Sequence, residues 1–201
     1  MKLARTIGTG LMTILVVMAL GGVGSAMAET TALCAVDEDP CEAANQVTEV
    51  HFEAHNLTIL SPLPEGEGGY NYGCDGLFSA TVSELGKPQT LEAQSLSFTS
   101  CGQGCTRTTE TLGTFSVLKV ETELAEITAN GFEIKVSCSG FSNCLYGFNE
   151  QVGTLKGALL AENGHITYQE APLELISGFL CPKEIKLDAL FEASEPIYVS
   201  S

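Results

Sequence analysis

The sequence predicts an all-β fold, an antiparallel β-sandwich or barrel-like fold stapled by up to four disulfides. Short segments in which apolar and polar residues alternate recur along the chain, and turns rich in Gly, Pro and Asn separate them. Helix signals are confined to one turn at Pro40, a residue type tolerated at a first helical position. An even number of cysteines behind an export signal favours disulfides. The eight cysteines are Cys34, Cys41, Cys74, Cys101, Cys105, Cys138, Cys144 and Cys181.

The N-terminal segment has the order of a secretory signal peptide. Two basic residues precede an almost wholly apolar stretch from Leu11 to Leu20, and Ala26-Met27-Ala28 then offers a cleavage site of the A-x-A type. We therefore expect residues 1–28 to be a signal peptide that is removed on export. The alternative is a retained membrane anchor, because no charged residue lies between the second basic residue and the cleavage site.

Behind the signal we predict two parts, an N-terminal loop at 29–46 and a single β-sandwich domain at 47–201. The loop contains Cys34 and Cys41, which a short-range bridge would join, and is expected to be exposed. Its three adjacent acids, Asp37 to Asp39, could bind calcium weakly. They lack the spacing of an EF-hand, so a solvated acidic loop is the simpler interpretation.

The strands of the β domain follow from alternation, and the turns follow from Gly, Pro and Asn. Residues 61–73 contain two prolines and several glycines and are predicted as a loop. Asn130-Gly131 and Asn163-Gly164 each predict a type I′ hairpin turn, since both central residues of that turn need positive φ. The predicted strands are 47–60, 77–85, 90–100, 115–120, 122–128, 132–138, 153–160, 165–177, 185–194 and 196–200.

The predicted hairpins suggest a pairing of the cysteines. Cys74 and Cys101 lie at the outer ends of one pair of strands, and Cys144 and Cys181 flank another, so each pair meets the separation that a disulfide needs. Exclusion then joins Cys34 to Cys41 and Cys105 to Cys138. A local alternative stays open, in which the bridges are Cys101–Cys105, Cys138–Cys144 and Cys74–Cys181.

A zinc site built from cysteines is the competing interpretation of the same residues. Cys101 and Cys105 have zinc-like spacing, but Cys138 and Cys144 are further apart than a usual zinc knuckle allows. The oxidising compartment that the signal implies also favours disulfides.

The charge of the chain limits its partners. It has 25 acidic and 9 basic residues, a formal net charge of −16, and the predicted signal removes two of the basic ones. Such a surface repels phosphate, so we expect no nucleic acid partner, and no membrane insertion after signal cleavage. We predict a secreted or extracytoplasmic protein, as a component of the cell envelope or of the external medium.

The strongest candidate metal ligands are His51, Glu53 and His55, which alternate on one face of the first predicted strand. The two histidines would be ~13 Å apart on a straight strand, too far to hold one ion. Two of the three residues could form a site only with help from another strand, and His165 is the one further histidine. A solvated polar face is the alternative.

The sequence lacks the usual signatures of catalysis. It contains no G-x-S-x-G, H-E-x-x-H, P-loop or G-x-G-x-x-G motif, so we predict no catalytic residue and no cofactor. A hydrolase with paired carboxylates stays open, since 25 acids are available. The chain has no Trp, and Tyr70 and Tyr72 in the glycine-rich loop are the best candidates for ligand contact.

The C-terminal part resembles a group of uncharacterised secreted β-rich proteins of actinobacteria. The resemblance covers roughly residues 74–201 and rests on "VSCSGFSNCLYG", "GTLKG", "APLELISGFLCP" and the closing "PIYVSS". It implies export and a β-rich body with disulfides, and it implies no activity. Cys144 and Cys181 match cysteines of the group, while Cys105 and Cys138 are additional.

Together these observations predict a secreted or envelope-associated protein whose β domain has a binding or structural role and is not catalytic. A secreted hydrolase using paired carboxylates and a weak metal-binding module at His51 and Glu53 are the alternatives.

Overall fold

The computed structural model describes the chain from residue 30 to residue 201 with short gaps. The gaps are residues 62–69, 84–85, 87, 103, 122–123, 139–140, 148–154 and 161–163, and only the backbone is described at 60–61, 70–72, 141–142 and 155–160.

The described residues form strands and one short 3-10 helix at Ala43–Asn45, which confirms the predicted all-β class. The pairings between these strands are all antiparallel. The strands are β1 (Ala32–Cys34), β2 (Glu49–Ser61), β3 (Tyr70–Val82), β4 (Gln89–Thr99), β5 (Thr106–Thr111), β6 (Thr114–Glu121), β7 (Leu124–Asn130), β8 (Glu133–Cys138), β9 (Phe141–Gly147), β10 (Leu155–Leu160), β11 (His165–Phe179), β12 (Glu184–Ala193) and β13 (Tyr198–Ser200).

Five long strands form the main sheet, in the order β4–β3–β2–β12–β11. Two three-stranded sheets curl over its inner face. The β6–β7–β10 sheet joins both edges of the main sheet, because β6 pairs with the first part of β4 and β10 pairs with the first part of β11. Eight strands therefore close a circuit of hydrogen-bonded pairs.

The β5–β8–β9 sheet closes on one side only. Strand β9 pairs with the second part of β11, from Glu174 to Phe179. Strand β5 has β8 as its strand partner and approaches β4 without a backbone ladder in the part of the chain that the structure describes. The result is a curled antiparallel structure. The circuit of paired strands is complete at one end, and at the other end it is open along a seam between β4 and β5.

A row of β-bulges crosses the main sheet at the level where the two smaller sheets meet. The register shifts after Ala54 on β2, after Tyr168 on β11, after Asp188 on β12 and at Gln94 on β4. Bulges bend a strand and increase its twist. This row allows the long strands to curve around two separate closures.

The N-terminal segment was predicted as an exposed loop, and the structure corrects this at residues 31–34. Strand β1 is wholly buried and pairs with β13, with Leu33 opposite Val199. Both side chains belong to the same core cluster as the strands of the main sheet. Strands β1 and β13 therefore close one end of the curled sheet, and we call it the plug end.

The hairpin predicted at Asn130-Gly131 is wrong, whereas a hairpin between β10 and β11 is confirmed. Asn163 lies outside the described residues, so the type I′ form of that turn stays a prediction. Gly164 has φ +62°, and β10 pairs with β11 directly across that turn. Gly131 also has a positive φ, +67°, but β7 and β8 belong to different small sheets. Phe132 is buried, so the chain turns inward and crosses to the second sheet.

Three strand regions went unpredicted for identifiable reasons. Strand β5 has the sequence "TRTTET", in which the one large side chain buried is Arg107, so no apolar alternation marks it. Strand β9 surrounds Cys144 and lies between two predicted strands, in a segment for which no strand was predicted. The glycine-rich start of β3 looks like a loop, yet a Cβ on Gly76 would lie 3.4 Å from the ring of Phe191. Glycine there lets the strand approach the core.

Candidate functional site

All eight cysteines form disulfides, in the pairing that the hairpin argument predicted. The bonds are Cys34–Cys41, Cys74–Cys101, Cys105–Cys138 and Cys144–Cys181, with Cα separations of 5.9, 4.2, 4.1 and 5.8 Å. No free cysteine is left. Since a thiolate is the reactive form of cysteine, this chain offers no cysteine nucleophile and no cysteine ligand for zinc.

Three of the four disulfides lie at the end of the molecule opposite the plug end, and we call it the disulfide end. They join β3 to Cys101, two residues after β4, the residue before β5 to the end of β8, and β9 to Cys181, two residues after β11. Cys144 lies on β9, which pairs with β11 directly, so the Cys144–Cys181 bond does not join the outer ends of the β10–β11 hairpin as predicted. On one side of the open seam a disulfide thus links β3 to the chain just after β4, and on the other side a disulfide links the chain just before β5 to β8.

The tightest group of potential metal ligands among the described residues is Cys34, Glu38 and Cys41. Both sulfur atoms are bonded to each other, so they cannot ligate as thiolates. The Glu38 carboxylate accepts hydrogen bonds from the backbone of Glu42 (2.7 Å) and from the side chain of Asn45 (2.9 Å). These three residues therefore stabilise the N-terminal segment, and their sulfur and carboxylate atoms are already engaged in protein contacts.

The predicted ligands His51, Glu53 and His55 lie exposed on the outer face of β2. The Nε2 of His51 lies 3.4 Å from a carboxylate oxygen of Glu49, and the Nδ1 of His55 lies 3.7 Å from one of Asp75. In the described part of the chain no group of three ligands contains these residues. Each histidine therefore has a separate carboxylate neighbour.

The acidic loop holds the plug end together. The Asp39 carboxylate accepts hydrogen bonds from the ammonium of Lys119, from the backbone and hydroxyl of Ser201, and from the hydroxyl of Ser200 at 3.2 Å. The hydrogen bond from Lys119 is the main reason that the pKa of Asp39 falls well below its usual range. In the acidic loop, which was expected to be solvated, Asp39 is thus engaged in contacts within the protein.

Tyr70 and Tyr72 were expected on a loop, and the structure corrects that placement. Both lie at the start of β3, where Tyr70 pairs with Ser61 and Tyr72 with Ile59. Their backbone is at the disulfide end, and their role in ligand contact stays a prediction.

Two apolar side chains project from the disulfide end. Phe179 is 81% exposed and Leu180 is 75% exposed, and Leu180 has a positive φ of 62°. Gly178 precedes them, and Cys181 after them is bonded to Cys144. The pair is held by covalent and backbone constraints, but alternation alone could not distinguish it from core residues.

A partly enclosed cavity of about 40 Å³ lies inside the curled sheet, beneath the row of bulges. Six of its twelve lining residues are aromatic, and the rings of Phe78 and Phe115 lie 4.9 Å apart between centroids. Tyr168 carries the one hydroxyl of the lining, and burial raises its pKa. The lining residues are Leu57, Ile59, Phe78, Leu96, Phe98, Phe115, Phe132, Ile134, Ile166, Tyr168, Leu187 and Phe191.

The cavity approaches solvent at the seam between β4 and β5. Ten of the lining residues are buried, whereas Leu96 and Phe98 of β4 are half-buried. The pairing of β4 with β6 stops at Leu91, so the outer edge of β4 beyond it has no strand partner in the described residues. The hydroxyl of Thr109 on β5 donates a hydrogen bond of 2.7 Å to the carbonyl of Leu96.

A cation is buried next to the cavity. Arg107 of β5 is almost fully buried, and its Nη1 donates to the carbonyl of Leu57 at 3.5 Å. Burial lowers the pKa of Arg107 to about 10, so the guanidinium keeps its charge at neutral pH. No sequence pattern marks this residue, since an Arg in a threonine-rich segment is normally read as exposed.

In comparisons with known proteins, no family model, curated protein or solved structure matches this chain. The resemblance to secreted actinobacterial proteins therefore stays a prediction. None of the helices among the described residues has the length and apolar character to cross a membrane. The four disulfides are typical of an oxidising, extracytoplasmic environment.

Proposed function

We propose that this chain is an exported, non-catalytic β domain that binds a ligand inside its curled sheet. The observation that carries the proposal is the partly enclosed cavity at the β4–β5 seam, where aromatic and aliphatic side chains converge. Small-molecule sites are typically concave, mostly apolar and largely formed before the ligand arrives. The four disulfides support export, because such bonds form and persist outside the cytoplasm.

The cavity gives little support to a hydrolase. Glycosidase chemistry needs two carboxyl groups about 5–10 Å apart around the scissile bond. None of the residues that line the cavity is acidic, and the histidines lie on outer strand faces. A weak metal-binding module has the His51–Glu49 pair in its favour, but two exposed ligands give a site of low affinity.

Export of the full chain followed by native mass spectrometry tests the proposed function. The chain should be recovered outside the cytoplasm, with residues 1–28 removed and no titratable thiol. A fraction of the protein should carry a bound small molecule, which solvent extraction would identify. Recovery only inside the cell with free thiols would refute export, and a protein that carries and captures no small molecule would refute binding.

A further inference from the structure

We propose that the cavity takes the slender hydrocarbon chain of an uncharged molecule, and that this chain enters through the β4–β5 seam. The inference rests on the proposed binding function and names its ligand class and its route. It follows from the chemistry of the lining, the size of the space and the incomplete strand pairing beside it.

The lining excludes charged ligands. Its twelve side chains are aliphatic or aromatic, and the hydroxyl of Tyr168 is their one polar group. A carboxylate or ammonium group transferred there would lose its hydration, and none of the lining side chains carries a charge that would compensate it. Arg107 lies outside the lining, and its Nη1 donates to the carbonyl of Leu57. The overall charge of −16 further disfavours anionic ligands. An uncharged apolar group is therefore the occupant that this surface stabilises.

The small enclosed space favours a narrow ligand that can extend out of it. The cavity measures about 40 Å³, whereas an engineered apolar cavity that holds benzene is about 150 Å³. A ligand the size of benzene or n-hexane therefore cannot lie wholly inside the enclosed part and must extend beyond it. A methylene chain is narrower and can bend, so it can fill the existing space and extend towards Leu96 and Phe98 at the seam.

The seam is a boundary of the cavity that no backbone ladder closes among the described residues. Within the main sheet, by contrast, backbone ladders join neighbouring strands, as between β3 and β4 or between β11 and β12. Between β4 and β5 no backbone ladder is described, and the hydroxyl of Thr109 donates a hydrogen bond to the carbonyl of Leu96 across the seam. Local opening is easiest where few backbone hydrogen bonds must break. The half-buried Leu96 and Phe98 lie along this line.

The location of the ligand is tested by NMR on the disulfide-bonded wild-type protein, with n-hexane, benzene and hexanoate as probes. We expect n-hexane to give intermolecular NOEs to the methyl groups of Leu57, Ile59 and Ile134. Hexanoate and benzene should bind at least tenfold more weakly. Absence of n-hexane NOEs from these methyl groups, or equal binding of hexanoate, would overturn the inference.

A pair of tryptophan variants tests whether the ligand enters through the β4–β5 seam. Leu96→Trp places a large ring at the seam and should weaken n-hexane binding at least tenfold. Ser97→Trp, one residue along on the exposed face of β4, should leave it unchanged and serves as the matched control. Equal binding by both folded variants would refute the seam as the route. If Leu96→Trp does not fold, the wild-type NOEs still decide the location.

The hydrogen bond across the seam is tested by rates. Thr109→Val keeps the shape of the side chain and removes the hydroxyl, so association and dissociation of n-hexane should both become about fivefold faster. The dissociation constant should change less than twofold. Thr108→Val, on the exposed face of β5, should alter neither rate. Unchanged rates in Thr109→Val would contradict the proposed route.

These results separate the inference from the proposed function. A polar molecule found inside the curled sheet of the exported protein would leave the binding function standing and refute the hydrocarbon chain. A protein that binds n-hexane at the lining methyl groups but carries a larger apolar ligand would support both. A protein that captures neither n-hexane nor any extracted molecule would refute both.

Discussion

Asp39 and Lys119 are 80 positions apart in the chain and form an ion pair that ties the N-terminal segment to β6. The side chain of Lys119 is only 9% exposed, whereas that of Asp39 is about half exposed. The same carboxylate binds Ser200 and Ser201, next to the strand that pairs with β1. One acidic residue therefore joins three segments of the plug end.

Asp39→Asn should destabilise the protein by about 1–2 kcal/mol. Asparagine can still accept hydrogen bonds from Ser201, but it leaves the ammonium of Lys119 shielded from water without its counter-charge. The exposure of Asp39 keeps the loss below that of a fully buried pair. Urea unfolding of both proteins at neutral pH measures the difference. Asp37→Asn, an exposed neighbour in the same loop, is the control and should change stability little.

The same pair predicts the acid limb of stability. The pKa of Asp39 is lowered on folding, so its contribution is present above the unfolded pKa, near 4, and is lost as pH falls towards the folded value. The free energy of unfolding should therefore decline below about pH 4, and the part due to Asp39 should be missing in Asp39→Asn. Parallel acid limbs in the two proteins would show that Lys119 does not stabilise the carboxylate.

The disulfides should differ in their contributions according to the loops they close. Removing Cys144–Cys181, which spans 37 residues, should cost about 4 kcal/mol, and removing Cys34–Cys41, which spans 7, about 2 kcal/mol. Longer loops lose more unfolded-state entropy when they are closed. Paired Cys→Ser variants compared by urea unfolding check this order. A larger loss for the short loop would mean that contacts of the N-terminal segment outweigh chain entropy.

The sequence predicted the strands where apolar alternation is regular and failed where a chain segment serves two sheets. The segment around Asn130-Gly131 has the residues of a hairpin turn, and Gly131 does take positive φ. Local chemistry specifies that the chain turns, but it does not specify whether the next strand pairs with the last one. Here the burial of Phe132 between the small sheets directs β8 away from β7. That burial depends on residues that are distant in the sequence.

Gly113→Ala tests how tightly these crossing connections pack. Gly113 has φ +67°, and a Cβ there would lie 2.2 Å from the carbonyl oxygen of Asn130. Because backbone on both sides must move, we expect a loss of more than about 3 kcal/mol. Gly73→Ala in β3 is the control, since a Cβ there meets no atom within 4 Å, and it should cost less than about 1 kcal/mol. Thermal unfolding of both variants gives the comparison.

The sequence identified apolar residues that line the candidate site, but it did not predict that they surround a cavity. The lining residues Phe78, Phe115 and Phe191 all read as core positions, and nothing in their spacing marks a space between them. That space exists because bulges curve the main sheet and because β5 stops short of pairing with β4. His51 and His55, by contrast, were visible in the sequence, yet they lie on the convex outer face, where no third ligand joins them among the described residues.

Two buried tyrosines predict a loss of stability in alkali. Burial raises the pKa of Tyr146 to about 12 and raises that of Tyr168 as well. A folded pKa above the unfolded value, near 10, means that the contribution is present below pH 10 and is lost as pH rises towards 12. The unfolding free energy should therefore fall across this range, and the fall should be smaller in Tyr146→Phe.

At neutral pH, Tyr146→Phe should instead cost about 1 kcal/mol, because the hydroxyl of Tyr146 donates a hydrogen bond of 3.1 Å to the carbonyl of Pro182. The variant is thus expected to be less stable than the wild type at pH 7 and to approach it near pH 12. Urea unfolding at several pH values, at one ionic strength, measures both limbs. Tyr198→Phe on β13, where the side chain is only half-buried, is the control at pH 7 for the loss of a tyrosine hydroxyl as such. Curves for Tyr146→Phe and the wild type that stay parallel above pH 10 would mean that phenol ionisation at this position is not linked to folding.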